Sequence, residues 1–159
     1  MIPLELQDAL RQKLEKLFDG MRFKNMKNER VPVNVFEQHL PNKNPNLNPG
    51  NDDPYPCIII RLSNGENPNE DEGQRTTVQF IAGVIDRDNN NQGYHDVLNI
   101  INRIIEDLRR NPIINEKFEV DSSMTWSYHD EDVEPYFFAG LETYWTNPQN
   151  LREDVERFI

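Results

Sequence analysis

The segment from Thr76 to Ile85 constrains the fold more than any other part of the chain. Val78, Phe80, Ala82 and Val84 form one apolar face along it, and Ile81 and Ile85 add apolar side chains to the other. Successive side chains of a strand point to opposite faces, so its second half must be covered on both sides. Such a strand belongs in the middle of a sheet. A covering layer comes from the next segment, where Tyr94, Val97, Leu98, Ile101, Ile104, Ile105 and Leu108 recur with helical period. Asn102, Arg103, Glu106, Asp107, Arg109 and Arg110 fall largely between them, and Asn111-Pro112 stops the helix.

The remaining elements follow from the same two periods. Residues 3–19 start with Pro3 in a first-turn position, place Leu6, Leu10, Leu14, Leu17 and Phe18 on one stripe, and end at Asp19-Gly20. Val31, Val33 and Val35 alternate with Pro32 and Asn34, which predicts a short strand near a sheet edge, because Pro32 has no N–H to give a ladder. Cys57 to Leu62 is a β-rich apolar run that Ser63-Asn64-Gly65 is expected to close. Phe118, Val120, Met124, Trp126 and Tyr128 alternate with polar residues as a strand, or a strand pair bent near Ser122. From Pro135 to Trp145, Phe137, Ala139, Leu141 and Trp145 alternate with Tyr136, Phe138, Glu142 and Tyr144, so both faces carry aromatics.

This order predicts an α+β fold: a mixed, mainly antiparallel sheet of about five strands with two principal helices packed on one face. Nothing along residues 1–159 suggests a second domain. The stretch 38–54 contains a Pro-Asn-x-Asn unit repeated every four residues, and proline at that interval excludes helix and central strand. It is a loop, either a tolerated insertion or an arm that orders on a partner, with Asn44, Asn46 and Leu47 as its docking candidates. Glu66 to Gly73 forms a solvated acidic loop in which Glu70, Asp71 and Glu72 are a second docking candidate. Residues 147–159 are either a short closing helix or a flexible tail, since Leu151, Val155, Phe158 and Ile159 make only a brief stripe. With helices on one face of the sheet, Tyr136, Phe138 and Tyr144 need cover on the other, and a neighbouring subunit would supply it.

Charge and composition narrow the function classes. A net charge of −11 without a Lys/Arg cluster disfavours binding to DNA or RNA, although acidity alone also serves solubility. No stretch approaches the ~20 apolar residues of a membrane span, and no export signal is expected. Cys57 is the sole cysteine, so neither an internal disulfide nor a cysteine zinc site is available, and its apolar setting predicts a buried, inert thiol.

Each catalytic or metal pattern fails on spacing. Asp86, Asp88 and Asn90 begin like a calcium loop, but Asn91 and Val97 stand where an EF-hand needs glycine and a bidentate acid. His39, His95 and His129 are far apart and form no zinc pair; His95-Asp96 simply opens a helix, where Asp96 suits the dipole. Glu119, Asp121, Glu134 and Glu142 could be assembled into an acidic pair only on paper. There is no Gly-x-Ser-x-Gly elbow, and seven glycines spread singly build no phosphate cradle. The expectation is a protein with no catalytic residues, metal or cofactor.

The chain resembles the tail terminator proteins of long-tailed bacteriophages over about two-thirds of its length. The resemblance rests on the strand Thr76-Thr77-Val78-Gln79-Phe80-Ile81-Ala82-Gly83-Val84-Ile85 and on the Gly93-Tyr94 opening of the helix Val97 to Leu108. It also takes in the run after Tyr55-Pro56 and the closing strand Pro135 to Trp145. The Pro-Asn loop departs from that pattern. The resemblance implies a structural protein of the virion tail or neck, assembled in the bacterial host cytoplasm. It would form a hexameric ring that caps the tail tube and joins it to the head, with the tube protein and a neck or head-completion protein as partners. An acidic wall would then suit passing DNA. The alternatives are another head-to-tail joining or tail-completion protein, and, from another class, a metal-dependent hydrolase using the acidic loops.

Overall fold

The computed structural model describes residues 2–41, 53–67, 73–87, 92–129 and 135–147. Helix α1 covers Ile2–Leu17 and is followed by the short strands β1 (Arg22–Lys24), β2 (Arg30–Pro32) and β3 (Asn34–Glu37). Two long strands, β4 (Cys57–Glu66) and β5 (Arg75–Ile85), precede helix α2 (Gln92–Arg110). The chain then forms β6 (Ile113–Ile114), β7 (Phe118–Val120), β8 (Thr125–Tyr128) and the long β9 (Tyr136–Thr146).

The result is the α+β fold expected, a mainly antiparallel sheet with two helices against it. The main sheet runs β3-β4-β5-β9-β7-β6, with β8 also paired to β9. Among the described residues its one parallel pair is β3 with β4, and the connection between them carries the Pro-Asn repeat. As the apolar faces of Thr76 to Ile85 require, β5 is central, paired with β4 on one side and with β9 along its whole length on the other. In the ladder, Ile58 stands opposite Ala82 and Ala139, and Ile60 opposite Phe80 and Leu141. These residues make the helix-side face. Leu6, Leu10 and Leu14 of α1, with Phe18 just beyond it, join them from one half, and Val97, Ile100, Ile104 and Leu108 of α2 from the other. Lys13 Nζ lies 3.2 Å from Asp107 Oδ2 and ties the two helices together.

Several boundaries depart from the sequence expectations for identifiable reasons. The single strand expected at Val31 to Val35 is two: β2 pairs with β1 in a separate two-stranded sheet, and β3 forms an edge of the main one. Pro32 ends the first and Asn34 begins the second, held by its N–H to Pro56 O at 2.9 Å. Ser63-Asn64-Gly65 does not close β4; the ladder slips one residue between Leu62 and Asn64 and continues to Glu66, so turn-forming residues mark a bulge. The alternation from Phe118 to Tyr128 is the bent pair, with β7 and β8 lying end to end along one edge of β9 around Asp121–Met124. Tyr94 leaves the buried stripe of α2 and stands 40% exposed with its ring edge-on to Tyr128, while Ile100 is buried in its place.

Residue 38 replaces strand by side chain where β3 ends. Leu62 N–H donates to Gln38 Oε1 at 3.0 Å and Gln38 Nε2 donates to Leu62 O at 3.0 Å, so one side-chain amide stands in for a peptide group on the β4 edge. The buried Gln7 of α1 secures it, donating from Nε2 to Gln38 Oε1 and to Ile60 O.

Helix α2 approaches the sheet closely at Gly93, against the ring of Phe137. A Cβ there would lie 2.3 Å from Phe137 Cδ2 and 2.6 Å from Cε2. Gly93→Ala should therefore destabilise by about 1–3 kcal/mol through overpacking, against the gain that alanine normally brings to a helix. A denaturant midpoint equal to or above that of the wild type would show that the Phe137 ring swings aside freely.

Candidate assembly face

The sheet face opposite the helices is built in register from five strands. At one end Cys57, Gly83 and Phe138 stand side by side on β4, β5 and β9. The next row on this face is Phe36, Ile59, Ile81, Gly140 and Ser127, running across β3, β4, β5, β9 and β8. Beyond it come Arg61, Gln79, Glu142 and Thr125, and then Thr77 beside Tyr144. The face is thus graded from apolar to charged along the strands. No helix among the described residues packs on it.

The apolar end is partly covered by its own chain. Tyr55 stands with its ring centroid 5.1 Å from Tyr136 and 6.2 Å from Phe138, and Tyr136 and Phe138 stack at 6.5 Å. Phe138 lies over Gly83, where an added Cβ would approach its Cε1 to 2.9 Å and Cys57 Sγ to 3.2 Å. Glycine leaves room for the ring there, and Cys57 beside it is only 1% exposed. Burial pushes the Cys57 thiol up to about 12 and, with the neighbouring Cys57, Tyr136 and Asp53 adding to it, the Tyr55 phenol also to about 12. Both remain protonated near neutrality, and Cys57 is the inert buried thiol expected.

Next to this cluster the face opens into a trough of about 240 Å³ over Gly140, flanked by Gln79, Ile81, Ser127 and Glu142. A groove of about 580 Å³ follows at the polar end, between Glu66, Arg75, Thr77, Asp121 and Tyr144. Ile81, Tyr136, Phe138 and Tyr144 are all half-buried.

The structure brings together some of the residues singled out in the sequence and separates others. Tyr136 and Phe138 share one cluster, whereas Tyr144 lies six residues further along β9, about 20 Å away. Asn44, Asn46, Leu47, Glu70, Asp71 and Glu72 lie outside the described residues, as do Asp88, Asn90 and Glu134. Glu119 stands opposite Thr146 and Glu142 opposite Thr125, roughly 13 Å apart along β9, so these acids do not converge. His39, His95 and His129 are exposed on separate segments. Among the described residues no group of three or more His, Cys, Asp or Glu side chains is placed to hold a metal ion, and no helix is long and apolar enough to cross a membrane.

Compared with known proteins, the chain matches no protein-family model and no curated protein. Function is therefore read from the face itself. Sequence periodicity could not find Tyr55, Gly83 or Gly140 as parts of it, because each enters through cross-strand register. The one available signal was the run of Ile58, Ile59 and Ile60, which makes β4 apolar on both faces.

Proposed function

We propose that the chain is a structural subunit that assembles with copies of itself through the sheet face opposite its helices. The observation that carries this reading is the apolar group of Phe36, Ile59, Ile81 and Phe138 at one end of a face that no described helix covers, with Tyr144 half-buried at its polar end. Ile59 is 7% exposed and the others are half-buried, and subunit contacts have such an apolar, aromatic centre and a polar rim. Here Ile81 and Phe138 are the centre, and Arg61, Glu142 and Thr77 are the rim.

The resemblance to phage tail terminator proteins extends the proposal to a ring that caps a tail tube and meets the neck of the capsid. The net charge of −11 supports a conduit that DNA passes without sticking. No residue is assigned a catalytic role. Sedimentation of the full chain, alone and with purified tail tubes, tests both levels. A ring-sized species that blocks further tube growth is expected, and a monomer at every concentration would remove the assembly reading altogether.

Not all of the residues that first suggested the contact are good probes of it. Phe138 shields Cys57 and packs on Gly83, so replacing it weakens the subunit as well as the contact. Ile81 and Tyr144 serve better. Ile81→Lys with Tyr144→Ser should raise the subunit dissociation constant at least ~30-fold, the size of a central interface residue, while monomer stability falls by no more than about 1 kcal/mol. An unchanged oligomer in the double variant would move the contact off this face.

A further inference from the structure

One flank of helix α2 stays open to water although it is partly apolar. Leu98 and Ile105 are half-buried there, and with Ile101, Asn102 and the 58% exposed Trp126 of β8 they line a shallow furrow of about 230 Å³. The flank runs on past the furrow at both ends, to Tyr94, 40% exposed, and to Arg109, also exposed. Tyr94, Leu98, Ile105 and Arg109 fall at i, i+4, i+11 and i+15, which keeps all four on one stripe of the helix over about 22 Å.

This stripe complements itself when a second copy meets it antiparallel. Leu98 and Ile105 stand equally far before and after the Ile101–Asn102 peptide, and so do Tyr94 and Arg109. A two-fold axis at that peptide sets Leu98 on the partner's Ile105 at two places, and each Arg109 guanidinium at the partner's Tyr94 ring, a favourable pairing of a cation with an aromatic face. The two exposed Asn102 amides come about 1.5 Å apart along the helices, within reach of one another, and a polar side chain at the middle of a helix pair fixes its register. His95 comes alongside the partner's Glu106, a ring N–H facing a carboxylate. Parallel docking would instead set Arg109 on Arg109. Charge favours the same occupant: at a net −11 most of the surface repels a copy, but Tyr94, Leu98, Ile101, Asn102, Ile105 and Arg109 include no acid.

We propose that a second copy of the chain docks on this flank, α2 against α2 and antiparallel, about a two-fold axis beside Asn102, with the two Trp126 rings closing the sides of the contact. The proposal does not depend on self-assembly through the opposite sheet face.

The test uses the full chain carrying Ile81→Lys and Tyr144→Ser, so that the opposite face contributes nothing. Asn102→Cys in that chain should give a disulfide-linked dimer on mild oxidation, at least ~10-fold more of it than Arg103→Cys, whose exposed side chain points further round the helix. The buried Cys57 does not compete. Leu98→Asp should raise the dimer dissociation constant at least ~30-fold, and so should Ile105→Lys. Mixing those two chains should restore association, because the antiparallel register sets Asp on Lys at one contact and leaves Leu98 on Ile105 at the other. No more dimer from Asn102→Cys than from Arg103→Cys would overturn the proposal and leave the furrow to a different protein; this arm changes no apolar side chain, so it decides even where a charged variant fails to fold. A mixture of folded Leu98→Asp and Ile105→Lys chains that associates no better than either alone would overturn it too, by removing the antiparallel pairing.

Discussion

Trp145→Ala will cost the folded chain about 3–5 kcal/mol, the range for removing a large aromatic side chain from a packed core. Trp145 is 1% exposed near the end of β9, opposite Thr76 in the central strand, and belongs to the core cluster shared by both helices. Its loss leaves a cavity that strands held by ladders on both sides cannot close. The indole also completes a polar chain: Nε1–H donates to Thr143 Oγ1 at 2.8 Å, and that hydroxyl donates to Val78 O at 2.9 Å. Trp145→Phe keeps most of the volume and loses only the first of these bonds, so about 1–2 kcal/mol is expected. Thermal melts should place the alanine variant roughly 10 °C or more below wild type and the phenylalanine variant in between. An alanine variant within about 1 kcal/mol of wild type would mean that this end of the sheet is far less rigid than its burial implies.

The second large effect concerns alkaline pH. In the fold the Cys57 thiol keeps its proton up to about 12, against an ordinary value of 9.0. Between those values the unfolded chain gives up a proton that the folded chain retains, so rising pH favours unfolding. The contribution is fully present below pH 9 and is lost as pH rises towards 12. Three pH units at 1.36 kcal/mol each bring it to about 4 kcal/mol in all. Tyr55 shifts in the same direction, to about 12, and adds a smaller part because its ring is only partly buried. Cys57→Ala removes the larger part. Between pH 9 and pH 11, urea midpoints should therefore fall more steeply for wild type than for Cys57→Ala, by about 2–3 kcal/mol at pH 11. Parallel curves would show that Phe138 does not seal the thiol from water.

These predictions depend on facts of different origin. The central place of β5 was legible in the residues, because Ile81 and Ile85 next to Phe80 and Val84 leave a strand no exposed face. The length and buried side of α2 were legible as well, from Val97 to Leu108, whereas the bend near Ser122 was one of two readings. Local pattern misled where one residue type serves two ends. Ser63-Asn64-Gly65 reads as a turn but forms a bulge, since cross-strand pairing with Thr76 and Thr77 outweighs turn preference. Val31 to Val35 reads as one strand but is shared between two sheets, because pairing partners decide where a strand ends.

The candidate face divides in the same way. Tyr136, Phe138 and Tyr144 were visible as the second face of a strand by their period of two alone. That two of them are partly covered by Tyr55, and that the third stands apart near Asp121, depends on residues far away in the chain. The trough over Gly140 has no signature in the sequence, since a glycine becomes a floor only when Ile81 and Ser127 are brought alongside it.

The sequence by itself determined the two helices and the long strands, which of their faces are apolar, and that no spacing suits a metal or a nucleophile. Those properties are set by neighbours within a few residues, through backbone period and side-chain chemistry. Only the tertiary structure decided that Gln38 completes the edge of β4, that Tyr55 meets Tyr136 and Phe138, and that Phe138 packs on Gly83 beside the buried Cys57. These are consequences of register and close approach between distant segments, and such contacts have no period along the chain from which they could be read.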